Sequence, residues 1–322
     1  MPIMFVHGRA QQSRDPAALH AAWKDSLLIH GASRAGVGFA PSLNSFFPYY
    51  GDQLNQWAEK ERKQSRSDNE AFRSLQVNES EAVFHELAGE LAEIISVRAR
   101  ASGIAATDLA TKRKRRGGDD ALRRTEDGTR SLKSILGAVH SVAPLASELA
   151  LAVLRDVSIY LSNDAAYRAV QNIVKDRYRE FISASQESGE PRVVVAHSLG
   201  SVVALEFLAN IEESIDLFLT LGSPLGLDGI RRRLRCRPFW PRQVKQWVNA
   251  SDSRDIVSIS PALGRQNLFS DDYKANKDAR CDVLNLTDVD NTTDNHHSIT
   301  GYLDDPGIAR AISQCLLKGD RS

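Results

Sequence analysis

The sequence predicts an α/β protein in which a mainly parallel β-sheet is covered by helices on both faces. Short, continuous apolar runs such as Arg192–Ala196 and Leu217–Leu221 are typical of strands that are buried on both faces. Helical patterns stand between these runs, and strands that alternate with helices form parallel sheets. At 322 residues, the chain is also long enough to bury a core without disulfide bonds or a structural metal.

The first fifty residues predict two strands and a helix between them. Ile3–Val6 is a short apolar run typical of a buried strand. Asp15 and Pro16 indicate a helix start, because Asp is a favoured N-cap and Pro is tolerated at the first helical position. Gly31 is expected just past the end of this helix. The aromatic-rich segment Leu43–Tyr50 predicts the second strand.

A mainly helical insertion is expected at residues 52–154, between the second and third strands, with residues 1–51 and 155–322 forming the core. Residues 101–130 are highly charged and poor in apolar residues, which favours a flexible segment. The more apolar helical segment Leu132–Leu161 could be a lid over the site, or it could simply pack on the sheet. The pattern favours neither alternative.

The C-terminal half continues the alternation of strands and helices. Val244–Asn249 and Val283–Leu286 are the next two apolar runs after Leu217–Leu221 and are expected to be strands. Leu199–Ala209 and Ile308–Leu316 have the pattern of buried or half-buried helices. The sheet is therefore expected to grow by parallel strands up to the closing helix.

Composition excludes several classes of protein. Lys and Arg number 41, as do Asp and Glu, and a net charge of zero argues against generic nucleic-acid binding. Three widely spaced cysteines form neither a disulfide framework nor a metal-binding pair, which suggests a reducing compartment. The N-terminus lacks the pattern of a signal peptide, and no apolar run is long enough for a confident transmembrane helix. A cytoplasmic location is expected.

The strongest local motif is the run Ala196-His197-Ser198-Leu199-Gly200. A buried strand stops at Ser198 and a helix begins at the next residue. In this context the serine sits on a tight turn with its hydroxyl above the sheet. Small residues must flank it because neighbouring backbone passes close, and Ala196 and Gly200 meet that need. Alanine replaces the more common glycine at the first of these positions.

Ser198 needs a base, and the base needs an acid that orients it. Candidates follow the later strands in the chain order acid, then histidine. Asp252 and Asp255 come after Val244–Asn249, and His296 and His297 come after Val283–Leu286. The carboxyl ends of parallel strands meet at one edge of a sheet, so all these residues are expected there. Spacing alone leaves both pairs open.

These motifs resemble those of the α/β-hydrolase superfamily, in particular its serine esterases and lipases. The resemblance covers residues 3–50 and about 155–317, and it implies the α/β-hydrolase fold with the helical insertion as a cap. It favours Asp255 as the acid, because Ile256 and Val257 follow it in the family's acid-then-apolar pattern. It favours His297 as the base, because a helix start follows. Asp252 and His296 remain the alternatives.

The resemblance also implies an oxyanion hole of backbone N–H groups from Gly8, Arg9 and Leu199. His197 is expected to pack beside the site and not to act as the base. Ser223 lies in a Gly-Ser-Pro turn, which lacks the small flanking residue of a nucleophile. No metal-binding motif and no nucleotide-binding glycine loop is present, so no metal and no cofactor are expected.

The expected activity is hydrolysis of a carboxylic ester, on a small-molecule or lipid substrate with an apolar acyl group. A peptidase, thioesterase or acyltransferase would use the same residues, and a binding protein or regulated effector whose insertion docks a protein partner is the alternative from another class. Arg231–Arg233 and the aromatic pair Phe239-Trp240 could contact a membrane surface. A solvated helix followed by a proline-containing loop is the favoured interpretation of that segment.

Overall fold

The computed structural model describes residues 2–8, 14–39, 43–60, 79–101, 144–236, 240–258, 262–264 and 282–319. Within these residues six strands form one sheet in the order β2-β1-β3-β4-β5-β6, and every pairing is parallel. The strands are β1 (Pro2–Val6), β2 (Asn44–Phe46), β3 (Val193–His197), β4 (Leu217–Leu221), β5 (Trp247–Ala250) and β6 (Leu284–Leu286).

The helices of the described residues lie on both faces of this sheet, which confirms the predicted fold class. They are α1 (Pro16–Asp25), α2 (Ala32–Ala35), α3 (residues 51–60), α4 (Glu79–Ala101), α5 (Pro144–Ser162), α6 (Asp164–Ser188), α7 (Leu199–Leu208), α8 (Asp228–Arg231), α9 (Ile299–Leu303) and α10 (Pro306–Gly319). A π-helical segment, Ser26–Gly31, joins α1 to α2, and a 3₁₀ turn, Pro224–Gly226, precedes α8.

Helices α3 to α6 stand between β2 and β3, where the insertion is predicted. Residues 102–143, which hold nearly all of the segment predicted to be flexible, lie outside the described residues. The boundaries of the insertion therefore stay a prediction. No helix of the described ranges is both long enough and apolar enough to span a membrane.

Alternate residues of each strand feed two separate hydrophobic cores. Val194 and Ala196 of β3 face the core that contains α4, α5, α6 and α7. Val193 and Val195 face the other core, which is built with α1, α9 and α10. Side chains of a strand point alternately to opposite faces, so a continuous apolar run is what a strand between two helix layers requires.

The edge strand β2 is shorter than the predicted Leu43–Tyr50, and its pairing with β1 ends at Phe46. Beyond this point the backbone leaves the ladder, because the N–H of Tyr50 donates to Nε2 of His7 at 3.0 Å. Pro48 has no N–H to contribute to a longer ladder. The segment therefore turns across the carboxyl end of β1 instead of continuing along it.

The helix start is as predicted, but the helix end is not. The Asp15 carboxylate caps α1 by accepting the N–H of Ala17 at 2.9 Å. The helical path continues through Gly31 into α2. It ends instead at Gly36, which takes the left-handed conformation with φ of 67°. Gly31 is needed for packing: a Cβ there would lie 2.2 Å from the carbonyl oxygen of Leu303.

We expect Gly31→Ala to destabilise the protein by about 1–3 kcal/mol, because its methyl group would displace the backbone of α9. Gly89→Ala is the matched control, since a Cβ at Gly89 meets open space on α4. That control should stabilise the protein by roughly 0.5–1 kcal/mol through helix propensity. Urea unfolding measures both, and an equal response of the two variants would contradict the packing argument.

Candidate active site

Ser198 stands at the junction of β3 and α7 in a strained backbone conformation. Its φ is 56° and its ψ is −129°, a backbone conformation that residues other than glycine rarely adopt. The N–H of Ser198 donates to the carbonyl of Leu221 at 3.0 Å, so the turn is tied to the neighbouring strand. This is the strand–turn–helix junction that the sequence predicts.

Two glycines allow the backbone of β1 to reach this turn. A Cβ at Gly200 would lie 2.3 Å from the carbonyl oxygen of Val6 and 2.5 Å from that of His7. A Cβ at Gly8 would lie 2.7 Å from Cβ of Ser198. Because these contacts are with backbone and with the serine itself, neither position has room for a side chain. The close approach places the end of β1 beside the Ser198 hydroxyl.

His297 connects the serine to a carboxylate. Its Nε2 lies 3.0 Å from Oγ of Ser198, and its Nδ1 lies 2.8 Å from Oδ2 of Asp255. A carboxylate only accepts, so Nδ1 carries the proton and Nε2 is left to accept from the serine hydroxyl. The three side chains thus form a hydrogen-bonded chain, hereafter the Ser–His–Asp chain, although the residues come from three different loops.

The Asp255 carboxylate is fully buried and receives three donors. Besides His297, the Tyr302 hydroxyl donates to Oδ2 at 2.7 Å and the N–H of Val257 donates to Oδ1 at 2.9 Å. Burial alone would raise the pKa of Asp255, but the facing His297 and the two other donors hold this pKa below its ordinary value. Asp255 is therefore a carboxylate that can balance a positive charge on the imidazole.

Gly222 and Tyr302 complete the packing around this acid. A Cβ at Gly222 would lie 2.9 Å from Cε2 of Tyr302, 3.0 Å from Oδ2 of Asp255 and 3.2 Å from Nδ1 of His297. Tyr302 has no role in the sequence-based prediction, although it lies in the helix start that follows His297. The tyrosine packs only because the chain before Ser223 has no side chain at this point.

The two alternative residues are directed elsewhere. The carboxylate of Asp252 binds the guanidinium of Arg254, with contacts of 3.0 and 2.7 Å, and it also accepts the N–H of Asn291. His296 has a φ of 52°, and its Nδ1 donates to the carbonyl of Asn291 at 2.9 Å. Both residues thus bond within the two loops that flank the Ser–His–Asp chain.

Other predicted residues are placed as follows. Ser223 shares a 2.6 Å hydrogen bond with Ser201 and caps the 3₁₀ turn by accepting the N–H of Leu225. Leu199 opens α7, where the first N–H groups of a helix have no partner within the helix. Arg9 lies outside the described residues, so its part in an oxyanion hole stays a prediction.

His197 is a second histidine beside the base. Its Nε2 donates to the main-chain carbonyl of His297 at 2.8 Å, and the two rings lie 4.7 Å apart. Burial, together with the smaller effect of the neighbouring His297, lowers the pKa of His197 to about 3. His197 is therefore neutral, and it holds the backbone of the base from the strand side.

His7 has a similar role at the end of β1, although the sequence-based prediction assigns a role only to the backbone of this loop and not to the His7 side chain. Its Nδ1 donates to the carbonyl of Gly8 at 2.7 Å while its Nε2 accepts from Tyr50. The Tyr50 hydroxyl in turn donates to the His7 carbonyl. Burial lowers the pKa of His7 to about 4. A neutral ring thus fixes the direction of the Gly8 carbonyl beside Ser198.

The predicted basic patch is paired with acidic groups of the protein. Arg231 is buried and donates to the carbonyl of Leu225 at 3.0 Å. Arg232 and Arg233 form ion pairs with Glu86 of α4, at 2.9 and 2.5 Å. Arg232 and Arg233 thus hold the end of α8 against α4, and α8 follows the 3₁₀ turn next to Ser223.

Comparison of the chain with known family models, with curated proteins and with solved structures finds no match in any of the three. Within the described residues, no group of three or more His, Cys, Asp or Glu side chains could hold a metal ion.

We expect His197→Phe to reduce the pH dependence of stability. His197 is neutral in the folded protein down to about pH 3, whereas an unfolded histidine takes up a proton below its ordinary pKa of 6.5. Between these two values the unfolded histidine binds a proton and the folded one does not. The free energy of unfolding therefore falls by about 1.4 kcal/mol for each pH unit by which the pH drops below 6.5. Phenylalanine cannot titrate.

Urea unfolding of both proteins at pH 7, 6 and 5 measures this difference. The free energy of unfolding should fall more steeply in the wild-type protein than in the variant over this range. Parallel curves would show that His197 binds a proton as readily in the folded state as in the unfolded state, and would contradict its assignment as a neutral donor.

Proposed function

We propose that this protein is a serine hydrolase that cleaves a carboxylic ester through an acyl-enzyme, in the manner of the α/β-hydrolases that its motifs resemble. The observation that supports this most is the Ser–His–Asp chain, which begins at a serine on a strained turn at the end of a buried parallel strand. A serine held only by packing would need neither the strain nor a buried acid–base pair.

In the proposed reaction, Oγ of Ser198 attacks the acyl carbonyl while His297 Nε2 takes the serine proton. The imidazole then carries a positive charge, and the Asp255 carboxylate offsets that charge across the 2.8 Å contact with Nδ1. His297 next returns the proton to the leaving alcohol. Water, deprotonated by the same histidine, releases the acid and restores the serine.

Developing negative charge on the substrate oxygen needs N–H donors beside Ser198. Leu199 supplies one at the first turn of α7, where the helix dipole also favours an anion. The end of β1 is the second source, because Gly8 lies against Ser198 and its carbonyl is already occupied by His7. One such donor contributes about 3–4 kcal/mol to the transition state.

The first prediction of this proposal concerns the nucleophile. A fluorophosphonate should label the protein once, at Ser198, and Ser198→Ala should abolish both labelling and hydrolysis of a soluble ester such as p-nitrophenyl butyrate. Ser223→Ala serves as the matched control, because Ser223 is hydrogen-bonded to Ser201 and not to the base. Labelling that survives in Ser198→Ala and maps to Ser223 would overturn the assignment.

A substrate panel with the wild-type protein then tests the bond that is cleaved. It pairs esters of increasing acyl length with the matching thioesters and amides. We propose that long apolar esters are the best substrates, and preference for a thioester or an amide would move the protein to the corresponding class of serine hydrolase.

The second prediction separates the neighbouring histidines. His297→Asn should lower kcat on the order of 10⁴-fold, because the serine loses its base. His296→Asn, the same change one residue earlier, should cost less than about tenfold, since asparagine tolerates the positive φ of that position. Steady-state kinetics on the same ester measure both. A more damaging change at His296 would mean that the loop has a different register in the working protein.

A further inference from the structure

The acid and the base lie on the loops that follow the paired strands β5 and β6, and this pairing ends at Ala250 and Leu286, before either residue. Asp255 follows β5, and His297 lies eleven residues beyond the end of β6. Their 2.8 Å contact therefore depends on whatever holds one loop against the other. In the described residues, polar contacts from Asp252 and Arg254 on the acid loop to Asp290 and Asn291 on the base loop join the two loops.

Asp252 is the anchor on the acid loop. Its side chain is only 1% exposed, yet its carboxylate is fully engaged. Oδ2 accepts the N–H of Asn291 at 2.8 Å, and the Arg254 guanidinium and N–H bind the same carboxylate. Burial would raise the pKa of Asp252, but the Arg254 contacts and the Asn291 N–H hold this pKa below its ordinary value. Arg254 also reaches Asp290 at 2.7 Å, which adds a second link between the loops.

Asn291 carries the connection to the base. Its side chain is fully buried, and Nδ2 donates to the carbonyl of Ser298 at 2.9 Å. A Cβ at Gly301 would lie 2.0 Å from Oδ1 of Asn291, so the amide is packed tightly under the start of α9. Ser298 follows His297 directly, and hence the contact restrains the backbone of the base.

We propose that Asp252 and Asn291 are positioning residues, and that the hydrogen-bonded series Asp252–Asn291–Ser298, hereafter the loop brace, keeps His297 within bonding distance of Asp255 during the reaction. This inference rests on the proposed function. The base must pass a proton from serine to leaving group without moving away from its acid, and displacement by about 1 Å can cost 10²-fold in rate. Neither residue is assigned a contact with substrate, so the brace acts on kcat.

The test uses the full chain and p-nitrophenyl butyrate. Asp252→Asn keeps the shape of the side chain but removes the charge that holds Arg254, and Asn291→Ala removes the donor to Ser298. Each should lower kcat between about 10-fold and 10²-fold and change KM less than twofold. Asp288→Asn, the same chemical change on an exposed side chain of the base loop, should leave kcat within twofold of wild type.

A double-mutant comparison separates positioning from general stability. Once Asp255→Asn has removed the acid, the brace has no acid–base contact to maintain, so adding Asp252→Asn should lower kcat by less than twofold further. If the losses of kcat from Asp252→Asn and Asp255→Asn multiply in full in the double variant, the proposal is overturned. A change confined to KM in Asp252→Asn would also overturn it. Thermal unfolding of every variant identifies loss of the fold, and Asn291→Ala is omitted from the comparison if it does not fold.

Proton NMR gives a readout that needs no substrate. The downfield signal of the His297 Nδ1–H, identified by its loss in His297→Asn, should broaden in folded Asp252→Asn and stay sharp in Asp288→Asn. An unchanged signal in Asp252→Asn overturns the brace. If the wild-type protein is neither labelled by a fluorophosphonate nor active on esters, the proposed function fails. If the wild-type protein is active but the double-mutant comparison and the NMR comparison of Asp252→Asn both give the contrary result, the loop brace is wrong and the proposed function stands.

Discussion

The backbone of β1 packs directly against the first turn of α7, and the arrangement of the site depends on this contact. The carbonyl oxygens of Val6 and His7 occupy the space that a side chain at Gly200 would need. The chain can enter α7 there only through a sharp turn, and Ser198 takes up that turn with a positive φ. A strained residue of this kind costs about 1–3 kcal/mol and persists because the surrounding structure determines it. Here the two hydrophobic cores on either side of β3 provide that support.

Charge is distributed around this turn in a consistent way. Asp255 is ionised and receives three donors, whereas the buried rings of His7 and His197 are neutral and each donate to a main-chain carbonyl. The negative charge of Asp255 therefore faces only one imidazole that gains a charge in the proposed reaction, that of His297. Neither His7 nor His197 neutralises this negative charge beforehand. Burial strengthens electrostatic contacts, so a charge that appears on His297 is balanced mainly by Asp255.

The strands and the serine turn could be predicted because their signals are local. A run such as Val193–Val195 identifies a strand wherever it occurs, and a strand that stops at a serine before a helix identifies the turn. The end of β2 and the role of Gly31 could not be predicted in this way. One depends on a hydrogen bond between Tyr50 and His7, and the other on the backbone of Leu303, each far away in the chain.

By itself, the sequence determined the α/β class, the strand–serine–helix junction and the chain order of serine, aspartates and histidines. It left open which aspartate and which histidine lie together. Only the tertiary structure decided that His297 bonds both Ser198 and Asp255, while Asp252 bonds across to Asn291. The physical reason is that residues a few positions apart in a loop share the same local pattern. Their side-chain directions differ because of local backbone angles, such as the positive φ of His296, and because of contacts with residues far away in the chain, such as the contact of His297 with Asp255.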